Sequence, residues 1–254
     1  MSNRKHSCFS RPATVLGCAW WQILQSFRPA CSRSTTFLWL AVVLAAFILR
    51  PELIGVTSLV RGLGLGEAAD YALLHFFHSS ALHTGLLTQI WLRTIFRVFP
   101  RWIVTVHGRP VVLVDALKNA KEGKQMPAVR LWHQESSNNS KPEYIMGHWL
   151  QGVSLLVQSV GLPVALPISA RLHGGVRWSN RDRRTLLNTL IQMVMYLPWE
   201  PLKVTVVGDA YYAAAKLVKA LIKFGHHLVT RARSNAVAYE KAPVARGTKL
   251  VNIR

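Results

Sequence analysis

Residues 203–230 read KVTVVGDAYYAAAKLVKALIKFGHHLVT, a pattern that predicts a strand, a helix and a second strand. The first strand is a β-branched run that ends at Gly208 and Asp209. The helix has leucine, valine and isoleucine on one face and lysine on the other, and Gly225 stands where its C-terminal cap belongs. Strands that alternate with helices at this spacing indicate a sheet with parallel strands, and such crossovers are right-handed.

The chain before this unit adds further strands and one helix. Strands are predicted by apolar and β-branched runs at 103–107, 111–114, 153–157 and 164–170. Pro167 places the last of these at a sheet edge or at an irregularity. A capping box at 179–182 and apolar residues at helical spacing predict a helix that ends at Pro198. The expected fold class over residues 100–241 is therefore α/β (α+β), a mixed sheet with flanking helices.

The first hundred residues differ from the rest of the chain in composition and in predicted secondary structure. Residues 1–36 are basic and predict an irregular arm, whereas residues 37–99 predict a small all-helical region with glycine turns. Short helices joined by tight turns are compatible with a helix-turn-helix DNA reader and equally with an ordinary small bundle. Residues 242–254 are expected to form a tail.

The longest apolar run, residues 37–49, contains no charge and spans 13 residues. A membrane span needs about 20 residues, and runs of this shorter length are more often buried helices. We therefore expect a buried helix and no membrane partner, with a single span as the alternative.

Charge is the strongest compositional signal, because 31 Lys and Arg stand against 11 Asp and Glu and give a net charge of +20. Such an excess favours a nucleic-acid partner, since each basic side chain placed on a phosphate releases counterions. A ribosome-binding, membrane-surface or merely basic soluble protein is the alternative. The 50% hydrophobic content argues against a disordered basic tail.

The three cysteines form no C-x-x-C pair, which argues against a disulfide framework or zinc site and fits a reducing cytoplasm.

Aspartate is scarce, and two of the four aspartates share a context. Asp115 and Asp209 each follow a run of β-branched residues, so each is expected at the end of a buried strand. A carboxylate there is costly unless it is paired or bound to a metal, and adjacent parallel strands would bring the two together. A divalent cation, Mg²⁺ or Mn²⁺, would relieve their repulsion, which makes them candidate catalytic residues and metal ligands. The other interpretation is that both are ordinary strand-end or turn residues.

Several blocks of sequence carry a family resemblance. They are VVLVDALKNAKEGKQMP at 111–127, HQES at 133–136, SKPEYIMG at 140–147, VVGDAYY at 206–212 and LVTRARSN at 228–235. Together they resemble the DDE-superfamily transposases of bacterial insertion sequences, and the likeness covers roughly residues 37–241. The blocks that contain Asp115 and Asp209 look like the first and second catalytic-Asp blocks of that family.

The resemblance implies an RNase H-like fold with one Asp on the central strand and another at the end of the neighbouring strand. It also implies that Asp115 and Asp209 hold Mg²⁺ or Mn²⁺ for cleavage and transfer of DNA strands at transposon ends, in the cytoplasm and at the nucleoid. A homodimer is one option for the assembly. The remaining interpretations are a non-catalytic DNA-binding remnant and a basic membrane-associated protein.

A third acid, on a helix after the last strand, is also implied by the resemblance. After Asp209 the one acid in the sequence is Glu240, and Pro243 follows it too closely for an inward-facing helix. We therefore expect the third acid to be missing and the chain to be a C-terminally truncated copy.

Seven cations are candidates for contact with DNA phosphates. They lie after the last strand, after Asp115 or at a helix N-terminus: Arg231, Arg233, Lys118, Lys121, Lys124, Arg181 and Arg184. Cations at a helix N-terminus are disfavoured by the helix dipole, so that placement points to a phosphate. For the strand-end arginines the alternative is a solvated sheet edge.

Overall fold

The computed structural model describes residues 12–49, 55–121, 123, 126–133, 142–173, 185–199, 201–232 and 237. The helices are α1 Pro12–Ser26, α2 Ser34–Leu49, α3 Gly55–Gly62, α4 Ala68–His78, α5 Thr84–Val98, α6 Leu186–Tyr196 and α7 Ala215–Lys223. The strands are β1 Thr105–Val106, β2 Arg109–Ala120, β3 Arg130–His133, β4 Tyr144–Ser159, β5 Leu162–Leu172, β6 Thr205–Gly208 and β7 His227–Thr230. Two 3₁₀ turns, Arg28–Ala30 and Ala210–Tyr212, complete the described elements.

Strand β2 is the centre of a mixed sheet. It pairs antiparallel with β4 on one side and parallel with β6 on the other. Beyond these neighbours, β5 pairs antiparallel with β4, and β7 pairs parallel with β6. The short strand β3 pairs with the first residues of β4 and extends the sheet past its core. This mixed sheet with flanking helices confirms the expected fold class and fits the RNase H-like arrangement.

The unit β6–α7–β7 forms where the sequence predicts it. Leu217 and Leu221 on α7 are fully buried, because the apolar face of this helix packs on the sheet core. Gly225 has a positive φ of 75°, and its amide donates to the carbonyl of Ile222. The next amide, of His226, donates to the carbonyl of Leu221. The glycine therefore ends the helix in the left-handed conformation that its position predicts.

Pro167 lies in the edge strand β5, at an irregularity in its pairing with β4. Ser154 pairs with Pro167 and Val153 pairs with Ser169, so the register shifts by one residue at this point. Proline lacks an amide for the ladder and is tolerated at edges and bulges. The expected irregularity at Pro167 is confirmed.

Strand β2 is longer than predicted, and one expectation about it is wrong. It continues to Ala120, so Asp115 lies within the strand instead of at its end. The cause is the long partner β4, whose residues down to Gly147 pair with β2 through Ala120. Backbone pairing with β4 therefore sustains the strand where its side chains have become polar.

Irregular structure is also the wrong expectation for part of residues 1–36, because Pro12–Ser26 forms helix α1. Leu24 and Phe27 are buried against other helices and show helical spacing, which the surrounding basic residues obscured. Helices α1 to α4 share an apolar core, and Trp91 of α5 packs against both this core and the sheet core.

Helix α2 contains the uncharged run 37–49. Phe37, Leu40 and Val43 are buried in the helical core, as expected of a packed helix. Among the helices described, none has both the length and the apolar character needed to cross a membrane.

Helix α6 begins after Thr185, whose hydroxyl accepts a hydrogen bond of 3.3 Å from the Asn188 amide. It ends at Tyr196, just before Pro198, as predicted. The capping box predicted at 179–182 lies outside the described residues.

Candidate functional site

Asp115 lies on the central strand β2, and Asp209 lies level with it, directly after the neighbouring strand β6. The parallel register pairs Leu113 with Val207, and two further residues along each chain lead to Asp115 and Asp209. Side chains two residues apart point to the same side of a strand, and neighbouring strands lie about 4.8 Å apart. The parallel pairing of β2 with β6 therefore brings Asp209, at the carboxyl end of β6, next to Asp115 within the central strand, and adjacent parallel strands are what the sequence predicts.

Both aspartate side chains are exposed, and neither is neutralised by a neighbour within the described chain. The ion pair found there joins His133 to Glu143 at 3.6 Å, away from the two aspartates. Two carboxylates at neighbouring positions repel each other, and a cation between them would relieve that repulsion.

Local hydrogen bonds set the direction of each carboxylate. Oδ1 of Asp209 accepts a bond of 3.0 Å from the Tyr211 amide, which makes this aspartate the N-cap of the 3₁₀ turn 210–212. Its carbonyl accepts a bond from the hydroxyl of Thr230 on β7. Oδ1 of Asp115 accepts a bond of 2.7 Å from the Ala116 amide. Within the described residues, these bonds leave Oδ2 of each carboxylate available to a ligand.

The donor set fits a divalent cation such as Mg²⁺. Magnesium is commonly bound by one or two carboxylates, with water and phosphate oxygens completing its shell. Over the described ranges, no group of three or more His, Cys, Asp or Glu could hold a metal. Glu240, the one acid after Asp209 in the sequence, lies outside those ranges. Asp115 and Asp209 would therefore hold the ion together with water or substrate oxygens.

Sequence reasoning missed two buried polar residues behind the carboxylates. Gln151 on β4 is 0% exposed and Tyr212 is 1% exposed. The Tyr212 hydroxyl donates to Oε1 of Gln151 at 3.1 Å, and Nε2 of Gln151 donates to the carbonyl of Asp115 at 2.9 Å. One signal was available for Gln151: it shares its side of β4 with the buried Val153 and Leu155, so alternation predicts an inward amide.

Burial raises the pKa of the Tyr212 phenol well above its ordinary value, while its bond to Gln151 acts in the opposite direction. The negative charges of Asp115 and Asp209 raise this pKa further. Tyr212 is therefore a neutral hydrogen-bond donor at ordinary pH.

The cations predicted to contact DNA differ in their placement. Arg231 is exposed and directly follows Thr230, which pairs with Gly208, so it lies level with Asp209. The amino group of Lys118 donates to the His133 carbonyl and lies 5.0 Å from the ring centroid of Trp149.

Lys118 is three residues from Asp115 on the same strand, and therefore faces the other side of the sheet. Lys121 follows the end of β2, and its amide donates to the carbonyl of Met146 at 3.0 Å. Of these two cations, Arg231 therefore lies level with Asp209, whereas Lys118 faces the other side of the sheet from Asp115. The other four candidates, Lys124, Arg181, Arg184 and Arg233, lie outside the described residues.

Comparison with known proteins gives a family match and, among the matches to solved structures, a likeness to a transposase complex. A family model described as DDE superfamily endonuclease matches residues 26–249. A cryo-EM structure of a piggyBac transposase synaptic complex with hairpin DNA is 13% identical, with a TM-score of 0.34. That match covers 85% of this chain and 49% of the other, so this chain spans about half the length of that transposase. The search of curated proteins gave no match.

Proposed function

This chain belongs to the DDE superfamily of endonucleases, and we propose that it acts as a transposase that cleaves and transfers DNA strands at the ends of an insertion sequence. Asp115 and Asp209 are the proposed catalytic carboxylates. The observation that carries the proposal is the parallel register of β2 with β6, from which Asp115 on β2 and Asp209 just after β6 follow at the same level, both exposed.

Asp115 and Asp209 are also the proposed ligands of Mg²⁺ or Mn²⁺. When bound, such an ion activates the attacking oxygen of water or of a DNA 3′-hydroxyl and stabilises the leaving oxygen. The chain's own contribution is to hold the two carboxylates close to each other, Asp115 on the central strand and Asp209 directly after β6, which is the preorganisation that a metal site requires.

The proposed substrate is double-stranded DNA, bound first through its phosphates. The net charge of +20 supports a polyanionic partner. Arg231 is exposed and follows the end of β7, as Asp209 follows the end of the neighbouring strand β6. A phosphate next to Arg231 would therefore also lie close to the proposed metal ligands. Assembly as a homodimer and contacts from Lys121, Lys124, Arg181, Arg184 and Arg233 belong to the same proposal.

DNA binding is expected to weaken steeply as salt is added, because the binding releases counterions. In a fluorescence-anisotropy titration, Arg231→Gln should lower the slope of log affinity against log salt by about one. Lys223→Gln is the matched control. Lys223 ends α7, at the end of the β6–α7–β7 unit opposite to Asp209, and its removal should leave affinity within about twofold of wild type. Equal losses from both variants would argue against a phosphate contact by Arg231.

Cleavage is tested with supercoiled plasmid that carries the DNA flanking the gene for this chain. The full chain should convert the plasmid to the nicked form in the presence of Mg²⁺ or Mn²⁺, and nicking should stop when EDTA is added. Absence of nicking across a range of concentrations of either ion would contradict the catalytic part of the proposal.

The second candidate function is DNA binding without cleavage. It is favoured by one observation: the described residues bring together two carboxylates, and no third acid or metal-ligating side chain joins them there. Salt-sensitive binding to the flanking DNA without metal-dependent nicking would support this second function.

A further inference from the structure

We propose that Gln151 and Tyr212 are positioning residues that set the spacing of Asp115 and Asp209 and thereby determine how tightly the pair holds a divalent cation. This inference rests on the proposed function, because it concerns the same two carboxylates. It assigns a role to side chains that reach neither metal nor DNA directly.

The backbone pairing between β2 and β6 stops before it reaches the two aspartates. The parallel pairing of β2 with β6 ends at Leu113 and Val207, two residues before the aspartates. Asp115 remains paired to β4 on its other side, opposite Gly152, whereas Asp209 lies beyond the end of β6 and caps the 3₁₀ turn 210–212. At the level of the carboxylates, the strand ladder therefore no longer fixes the distance between the two backbones.

Buried side chains bridge this gap. Nε2 of Gln151 donates to the Asp115 carbonyl at 2.9 Å and to the Gly152 carbonyl at 3.2 Å. Oε1 of Gln151 accepts from the Tyr212 hydroxyl at 3.1 Å, and the Tyr212 amide donates to the Asp209 carbonyl at 3.1 Å. The side chains of Gln151 and Tyr212, with the hydrogen bonds that they make, thus connect the backbone of Asp115 to the backbone of Asp209.

The direction of each bond in this path is determined by chemistry. The two carbonyls beside Gln151 can only accept, so the amide nitrogen must face them and its oxygen must face Tyr212. The phenol must then donate. Because both side chains are at most 1% exposed, water does not replace these bonds, and a lost bond leaves a buried polar group unsatisfied.

Packing beside Gly208 and Val114 also holds the Tyr212 ring in place. A Cβ at Gly208 would lie 2.7 Å from Cδ2 of Tyr212 and 2.9 Å from Cγ2 of Val114. The ring therefore occupies the space that a side chain at position 208 would take, directly behind the two aspartates. Residues that orient metal ligands in this way commonly change metal affinity or activity by about 10- to 100-fold when they are replaced.

The test measures Mn²⁺ binding to the full chain by electron paramagnetic resonance of the free ion, with plasmid nicking followed in parallel. Tyr212→Phe removes a single oxygen and should raise the Kd for Mn²⁺ about tenfold. Tyr196→Phe, on the half-exposed tyrosine of α6, is the matched control and should leave the Kd unchanged. Asp115→Asn should abolish the same binding, which identifies the site.

A double variant separates positioning from mere stability. Gln151→Met together with Tyr212→Phe removes both members of the buried pair, so no unsatisfied partner remains between them and thermal stability should recover towards wild type. The Kd for Mn²⁺ should nevertheless stay raised about tenfold, because the bridge is still absent.

A wild-type Kd in the double variant, or in Tyr212→Phe, would overturn the positioning role. Absence of Mn²⁺ binding by the wild-type chain would overturn it as well. Wild-type Mn²⁺ binding that weakens in both variants but is never accompanied by nicking would support the positioning role and contradict only the proposed cleavage.

Discussion

Asp115→Asn is expected to lower metal-dependent nicking of plasmid DNA about a thousandfold, which corresponds to about 4 kcal/mol of transition-state stabilisation. Asn keeps the size of the side chain but removes the negative charge that holds the cation. The same loss is expected for Asp209→Asn, because neither carboxylate alone provides the paired charge that the site offers to Mg²⁺.

The matched control for these variants is Asp70→Asn. Asp70 lies in the first turn of α4, in the helical region, and is not one of the proposed metal ligands. The Asp70→Asn variant should nick DNA at the wild-type rate. Equal losses in Asp70→Asn and Asp115→Asn would show that general destabilisation, and not metal binding, explains the result.

DNA binding by the same variants provides an independent check. Removing a negative charge close to the proposed phosphate position should leave affinity unchanged or slightly higher, measured without metal. A chain that binds DNA normally but has lost nicking would localise the defect to chemistry. A parallel loss of binding would instead indicate that Asp115 is needed for the fold.

Local sequence patterns predicted the parts of the fold that depend on neighbouring residues. The β-branched run before Asp209, the two faces of α7 and the cap at Gly225 are all local features, and the structure has each of them. The adjacency of Asp115 and Asp209 was expected from the parallel pairing of two neighbouring strands, which the structure has, although β2 continues past Asp115 instead of ending there. Their catalytic and metal-binding roles stay predictions.

The features that escaped prediction depend on contacts distant in sequence. The extension of β2 to Ala120 requires the partner β4, which lies 27 or more residues further along the chain. The bridge from Gln151 to Tyr212 joins residues 61 positions apart. Neither residue belongs to a recognisable local pattern of a metal site, because neither is a metal ligand. Only the register of the folded sheet brings them behind the aspartates.

The buried side of the site makes a strong prediction about Gly208. Gly208→Ala should lower the free energy of unfolding by about 3 kcal/mol, since the added methyl group meets Tyr212 and Val114 at 2.7 and 2.9 Å. Val114 is fixed in the central strand, so the Tyr212 ring must move, and its hydroxyl then loses Gln151. For a chain of this size the melting temperature should fall by roughly 6–12 °C.

A glycine with free space around it provides the control. Gly17 lies within α1, and a Cβ there would meet nothing within 4 Å. Gly17→Ala should raise stability by about 0.5–1 kcal/mol, because alanine loses less conformational entropy in a helix. Opposite shifts in melting temperature for the two Gly→Ala changes would therefore separate packing behind the site from backbone entropy. If Gly208→Ala melts like wild type and still cleaves DNA, the Tyr212 ring is not held in place by close packing against Gly208.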